Sequence, residues 1–358
     1  MRLQSLNLVD FRNVETARLS FSGKRIFFVG ENGQGKTNLL EAIGFSSALR
    51  SFRTTETRDL IRWDRPRAEL LFRFENQAGI QSETLLALDR SKSKEVSVDG
   101  ENVTRFGDFI GRFPSIVFCS DDLRLPRGGP GERRKFLDLA LASAGVDYLE
   151  SLRRYHRALR GRNALLRRDA EDAELSAFEA EMSFAASDLI QSRKDGLISL
   201  GQRFSKRYQS IGGEVESSSL RYLPDMKIEG SEEVARSLRD NRSKDRQAKT
   251  TQRGPHRDDF TFLLDGRDAR KFASEGQQRS MVLALRFGQA DFLLDRLGVR
   301  PLILADDVLG ELDSSRRSNF RSCLDDDSQV FATGTKLLTD DSDDWEIFQT
   351  KDGHFLPA

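Results

Sequence analysis

The chain has 358 residues, of which 32% are charged, and its 57 Lys plus Arg are balanced by 57 Asp plus Glu. That length can hold one large core or two smaller ones, and the balance excludes attraction of a polyanion by net charge, leaving only local patches. Two widely spaced cysteines, Cys119 and Cys323, exclude a disulfide framework and a Cys/His zinc cluster and fit a reducing cytoplasm. The opening MRLQSLNLVDFRN lacks a basic segment followed by an apolar core. No stretch approaches the roughly 20 apolar residues of a membrane span, so a cytoplasmic protein without a membrane partner is expected.

Residues 3–9 and 17–21 alternate apolar and polar around Asp10-Phe11-Arg12-Asn13, which predicts two half-buried strands and a turn. The apolar run Ile26-Phe27-Phe28-Val29 then leads into Gly30 to Thr37, GENGQGKT, followed by the helix-like opening Asn38 to Ile43. Strand, GxxxxGK(S/T) loop and helix form the context of a nucleotide phosphate site. Gly30, Gly33 and Gly35 let successive backbone N–H groups approach phosphate oxygens, and the helix dipole favours the negative charge. Lys36 is expected to reach the β- and γ-phosphates of ATP, and the Thr37 hydroxyl to ligate Mg2+, with Asn32 and Asn38 also in the ATP-binding set.

Short β-like runs at 69–74, 84–88 and 95–98 predict an antiparallel β-rich section, and Ser115 to Phe118 one more buried strand. Arg127-Gly128-Gly129-Pro130-Gly131 marks a change of architecture. Beyond it, Leu137, Leu141, Ala144, Tyr148, Leu152, Tyr155 and Leu159 recur at about 3.7 residues, predicting one long helix. Leu175, Phe178, Met182, Ala185 and Leu189 predict a second, and residues 168–172 the turn of a hairpin with arms of about 30 to 40 residues. Seven arginines and no acid lie in 153–168, while 169–181 hold six acids. A basic face for DNA and charge pairing within the hairpin both fit this pattern. Arg133-Arg134-Lys135 stands near a helix start, where cations oppose the dipole, and is the candidate DNA-binding patch.

Near the end of the chain, the apolar run Pro301 to Ala305 stops at Asp306-Asp307. Carboxylates at the tip of a strand beside the phosphate-loop strand are placed to hold magnesium (Asp306) and to orient or deprotonate the attacking water (Asp307). Lys36 and Asp307 are therefore the candidate catalytic pair. Upstream, Ala273-Ser274-Glu275-Gly276-Gln277-Gln278-Arg279 resembles the signature motif of ABC-type ATPases. That resemblance implies that Ser274, Gly276 and Gln277 cap the γ-phosphate bound by a second copy, making ATP a switch on dimerisation.

Taken together, DFRN at 10–13, GENGQGKTN at 30–38, Phe118 to Asp122 with Phe136-Leu137-Asp138 after it, TQRGPHRDD at 251–259, ASEGQQR and ADDVLGELD, with Gln329 to Thr335, resemble the RecF family almost end to end. The resemblance implies an α/β fold: an ABC-type P-loop ATPase head of the SMC-like superfamily, a mixed sheet with a β-rich subdomain, and an inserted helical lobe. The expected division is 1–125 (phosphate loop and β-rich subdomain), 126–250 (helical lobe) and 251–358 (signature motif, Asp306-Asp307 and the loop after them). It further implies a slow, DNA-stimulated ATPase whose ATP-dependent homodimer binds double-stranded DNA and single-strand/double-strand junctions near gaps. RecR with RecO are the implied partners, and RecA an indirect one. Asp307 stands where ABC transporters usually carry glutamate, and Thr333 lies where many carry a switch histidine. An ABC-type ATPase subunit serving a transporter or a chromosome-organising complex is the alternative reading.

Overall fold

The computed structural model describes residues 1–92, 94–212, 216–227, 230–312, 314–336 and 345–358. In chain order the first elements are β1 (Arg2–Phe11), β2 (Val14–Ser20), β3 (Arg25–Val29), α1 (Lys36–Ala48), β4 (Arg67–Glu75), β5 (Gln81–Asp89), β6 (Glu95–Val98), β7 (Glu101–Asn102) and β8 (Ser115–Phe118). There follow α2 (Arg124–Arg127), α3 (Pro130–Ala144), α4 (Val146–Arg167), α5 (Asp172–Gly212), β9 (Ser218–Leu223), α6 (Ser231–Asp240), α7 (Arg242–Ala248), β10 (Asp259–Leu264), β11 (Arg267–Asp268), α8 (Ala269–Phe272) and α9 (Glu275–Leu297). The remainder comprises β12 (Leu302–Ala305), α10 (Val308–Glu311), α11 (Ser314–Ser322), β13 (Val330–Gly334), β14 (Glu346–Lys351) and β15 (His354–Pro357).

Two compact units emerge, Met1–Asp122 with Gln289–Ala358, and Leu123–Gly288. The first holds both large sheets. Alternating side chains turn one face of β1 (Leu6, Leu8) and of β4 (Ala68, Leu70, Phe72, Phe74) inward, and these strands build an antiparallel sheet of order β2-β1-β4-β5-β6-β7. The second sheet has the order β15-β14-β3-β13-β12-β8 and is parallel except for β15. Its strands β3, β12 and β13 read as continuous apolar runs because they are buried on both faces. One hydrophobic core joins both sheets and α1, with Phe21, Phe28, Phe331 and Phe348 clustered at ring separations of 5.0 to 6.4 Å.

The strand order corrects one expectation. β12, which ends at Asp306, is not beside the phosphate-loop strand β3; β13 lies between them. Parallel partners are chosen over long sequence separations, so adjacency is not written in either strand.

In the second unit the long rhythm from Leu137 to Leu159 is broken rather than continuous: α3 ends at Ala144, Gly145 is extended (φ −172°, ψ 137°), and α4 begins at Val146. The apolar spacing keeps phase across the break, so periodicity alone cannot show it. The hairpin arms are unequal, 22 residues in α4 and 41 in α5. Phe178, expected in the core, is 39% exposed and lies over Gly161, whose missing side chain makes room for the ring. Residues 251–288 fall in this unit, because β10 pairs with β9 along its length, whereas the sequence pattern suggests boundaries at 125 and 250.

Candidate nucleotide site and basic surfaces

β3 delivers the chain into the loop and α1 receives it, as the motif requires. The three glycines serve two different needs. Gly33 (φ 82°) and Gly35 (φ 111°) occupy the left-handed region. Gly30 does not; a side chain there would run into the Thr350 carbonyl of β14. The loop is braced from outside: Asp352 N–H donates to Gln34 Oε1 (2.7 Å), Gly353 N–H to the Gln34 carbonyl (2.9 Å), and Asn38 to Asn13 Oδ1 (2.8 Å). The Lys36 ammonium is buried and donates to the carbonyls of Gly30 (2.8 Å) and Glu31 (2.9 Å), which holds a positive charge inside the curve of the loop. Asn32 is exposed at its rim.

Across 269 residues of sequence, the Thr37 hydroxyl donates to Asp306 Oδ1 at 2.8 Å. Thr333, fully buried on the intervening β13, ties the acidic pair together. Its hydroxyl accepts the Asp307 N–H (2.9 Å) and donates to Asp306 Oδ1 (3.0 Å). Asp307 is held left-handed, φ 55°, at the start of α10. Burial holds the Asp306 carboxyl above the ordinary carboxylate range, more than the Thr37 and Thr333 hydroxyls pull it down, and Asp307 pushes it the same way. A half-buried carboxylate beside a hydroxyl oxygen is a donor set that fits Mg2+. Among the described residues no group of three or more His, Cys, Asp or Glu gathers around a common point. Asp313 of the GELD segment lies outside the described residues.

A fully buried carboxylate lies close by and is not singled out by the sequence motifs. Glu41, on α1 beneath the loop, is fully buried; Arg12 binds it bidentately (2.8 and 2.8 Å), Arg53 reaches it at 3.2 Å and also donates to Asn38 Oδ1 (2.7 Å), and Ser51 donates as well. Arg12 and Arg53 thereby bring two cations to the edge of the phosphate loop. The signal was present: a lone acid inside the run Leu39-Leu40-Glu41-Ala42-Ile43, all of it buried, demands a paired cation.

In the second unit, Ser274, Gly276 and Gln277 meet at the start of α9, where Ser274 and Gln277 make a reciprocal capping box. Ser274 Oγ accepts the Gln277 N–H (3.2 Å) and Gln277 Oε1 accepts the Ser274 N–H (2.6 Å), while the Gln277 amide also donates to Glu216 (2.6 Å). Ser274 is exposed, and its hydroxyl hydrogen is not used by the cap.

Arg133 requires a correction. It is 1% exposed, binds Asp259 bidentately (2.8 and 2.8 Å) and donates to the carbonyls of Leu125 and Gly128, so it is a core ion pair and not a contact for DNA. Arg134 donates to the Asp258 carbonyl (2.6 Å) and is half-buried, and Lys135 is exposed. GPHRDD is likewise a hub of this unit: Asp258 takes Arg193 (2.9 Å) and the Tyr222 hydroxyl. His256 donates from Nε2 to the Thr251 carbonyl (3.1 Å) and accepts the Tyr155 hydroxyl at Nδ1 (2.6 Å). Burial lowers His256 to about 4, so the ring is neutral. The arginines of 153–168 divide. Arg162 is fully buried against Glu179 (2.9 Å) and Asp245 (2.7 Å), Arg154 pairs with Glu181 (3.8 Å) and Arg168 with Glu174, whereas Arg153, Arg157, Arg160 and Arg167 stay exposed.

A strand–loop–helix phosphate cradle and an acidic pair on one parallel sheet, flanked by an antiparallel sheet, define a P-loop ATPase head of the α/β class. The family model described as the RecF/RecN/SMC N terminal domain matches residues 2–344. The DNA replication and repair protein RecF of Geotalea daltonii is 34% identical, covering 98% of this chain and 97% of its own. A solved structure of the recombination mediator protein RecF-ATP in the RecFOR pathway is 27% identical, with TM-score 0.91 across 99% of this chain and 97% of that one. The Smc head bound to the C-winged helix domain of ScpA, 16% identical with TM-score 0.57 over 100% and 98% of the two chains, shares the fold. The chain belongs to the RecF family of DNA replication and repair proteins.

Proposed function

We propose that the chain is an ATP-gated DNA-binding protein of recombinational repair, in which ATP closes two copies head to tail on duplex DNA near single-strand gaps and slow hydrolysis releases them. The observation that carries the reading is the convergence of Thr37, Asp306, Asp307 and Thr333 at the mouth of the phosphate loop. Gly30, Asn32, Gly33, Gly35, Lys36, Thr37 and Asn38 take the triphosphate, Lys36 exchanging its two loop carbonyls for phosphate oxygens. Thr37 and Asp306 hold Mg2+, which supplies charge neutralisation on the phosphates when bound. Asp307 orients the attacking water from a backbone fixed by Thr333.

Ser274, Gly276 and Gln277 serve the second copy's γ-phosphate: the capping box pre-forms the helix start and leaves the Ser274 hydroxyl hydrogen for an anion. Arg134 and Lys135 remain the DNA candidates of their patch. Partnership with RecR and RecO, and through them RecA, is supported by family membership and by the place of the RecF-ATP relative in the RecFOR pathway.

The test is fluorescence anisotropy of a labelled duplex with the Asp307→Asn protein, with and without ATP at fixed salt. Tight binding only with ATP is expected, because blocked hydrolysis traps the closed dimer. Equal binding in both conditions would remove the ATP gate and leave the nucleotide site to another partner.

A further inference from the structure

The arginine-rich segment 153–168 has no role in the site above, and its arginines separate by helix face. At 3.6 residues per turn, positions 153, 157, 160, 164 and 167 are spaced i, i+4, i+7, i+11 and i+14 and share one stripe of α4. They are Arg153, Arg157, Arg160, Ala164 and Arg167, and all five are exposed. Arg162 lies nine positions on from Arg153, half a turn round, and is the one buried against Glu179 and Asp245. Arg154 and Arg168, on the flank facing α5, pair with Glu181 and Glu174. Among the described residues the four stripe arginines make no ion pair and no hydrogen bond, although most other arginines in this unit do. Of the acids of α5, Glu174, Glu179 and Glu181 pair with Arg168, Arg162 and Arg154, and Asp172 pairs with Arg242 and Arg246 of α7.

We propose that this stripe of α4 is a docking surface for the phosphate backbone of duplex DNA; the inference rests on the DNA-binding reading above and places one of its contacts. Its chemistry selects the occupant. The four guanidiniums are spread over 14 residues, about 21 Å of helix. Duplex DNA presents one phosphate charge per about 1.7 Å of axis, so a straight row of this length meets phosphates throughout. Guanidinium matches phosphate in planar, bidentate fashion. The one apolar side chain of the stripe is the single methyl of Ala164, whereas a protein partner would need a desolvated apolar centre and a membrane surface a broad apolar face. No stripe position is aromatic, and the exposed Phe178 ring beside it lies over Gly161 on the flank towards α5, so the stripe itself offers bases of a single strand nothing to stack on. The rigid scaffold is supplied by α5, which packs along the opposite side through the Arg162–Glu179 pair.

The test compares the full-length protein with a variant carrying Arg153→Gln, Arg157→Gln, Arg160→Gln and Arg167→Gln, using anisotropy of a labelled duplex across a salt series with ATP present. Each phosphate contact contributes about 0.9 to the slope of log affinity against log salt. Loss of four contacts flattens the slope by about 3.6, so between about 50 and 200 mM salt the unaltered protein loses about 150-fold more affinity than the variant. Arg154→Gln with Arg168→Gln, which neutralises one paired arginine on α4 and one at its C-cap, leaves the slope within about one unit. Thermal melting checks that both variants fold; should the fourfold variant not fold, Arg157→Gln alone is expected to flatten the slope by about 0.9. A protein that binds duplex with unchanged affinity and slope in the fourfold variant overturns the stripe while leaving DNA binding intact. An unaltered protein that binds no duplex in any nucleotide condition overturns the DNA reading itself.

Discussion

Thr333→Val isolates the contribution of one hydroxyl to the acidic pair. Valine keeps the shape of the threonine in the buried β13, so packing between β3 and β12 is retained, but two hydrogen bonds vanish. The Asp307 N–H loses the acceptor that holds a left-handed residue in place, and Asp306 loses one of its two hydroxyl donors, leaving that of Thr37. A buried amide left without a partner costs about 1–3 kcal/mol, and a hydrogen bond to a charged group is worth about 1.5–3 kcal/mol. If roughly half of that total appears as misplacement of Asp307, the barrier to hydrolysis rises by about 1.25–3 kcal/mol, which is a loss of kcat of about 8- to 160-fold. ATP affinity should change little, since Lys36 and the loop amides are untouched. Steady-state phosphate release, together with equilibrium binding of a fluorescent ATP analogue, reads the two separately. A variant whose kcat stays within about twofold of the parent, while its melting temperature falls, would show that Thr333 is only a structural hydroxyl.

Two further perturbations follow from the titrating groups. Asp306→Asn removes a carboxyl whose proton is held more tightly in the folded protein than in the unfolded chain. The charged form therefore costs stability above the raised folded value, and the cost disappears below the unfolded value of 3.8. At neutral pH without Mg2+, calorimetry should show Tm higher by about 2–4 °C with ATP hydrolysis abolished, and no stabilisation at pH 3.5; a lower Tm at neutral pH would contradict the reading. His256 runs the other way, being lowered from 6.5 to about 4 by burial. Stability conferred by the neutral ring is complete above pH 6.5 and is lost as pH falls towards 4, an effect on the order of 3 kcal/mol. Urea unfolding of the second unit at pH 7 and pH 5 should show about 2 kcal/mol of this loss in the parent and much less of it in His256→Gln; equal acid sensitivity would assign the effect to other groups.

What could be read from sequence was whatever is local. The period of two in β1 and β4, the apolar runs of β3 and β12, and the loop between β3 and α1 each carry their signal within about ten residues, and all appear in the structure. What escaped depends on partners far along the chain. Arg133 looks like a surface cation until Asp259, 126 residues away, is found on its guanidinium. β12 looks like a neighbour of β3 until β13, which follows it in the chain, is found between them. The Gly145 break is invisible because the apolar residues keep step across it. The Arg153 to Arg167 stripe is intermediate: helical phase groups those residues, but only the pairing of Arg154, Arg162 and Arg168 shows which arginines are spoken for.

The brace around the phosphate loop carries a consequence for biosynthesis. β3 and the loop are made early, but β3 is completed as a central strand only by β13 and β14, and the brace that Asn13 gives the loop is joined by that of Asp352 and Gly353 only when they arrive. An emerging polypeptide on the ribosome thus carries the GKT sequence well before β13, β14 and the residues that brace the loop are made. Because Asp352 and Gly353 brace Gln34 of the loop, nucleotide binding is expected to report that the first unit has closed.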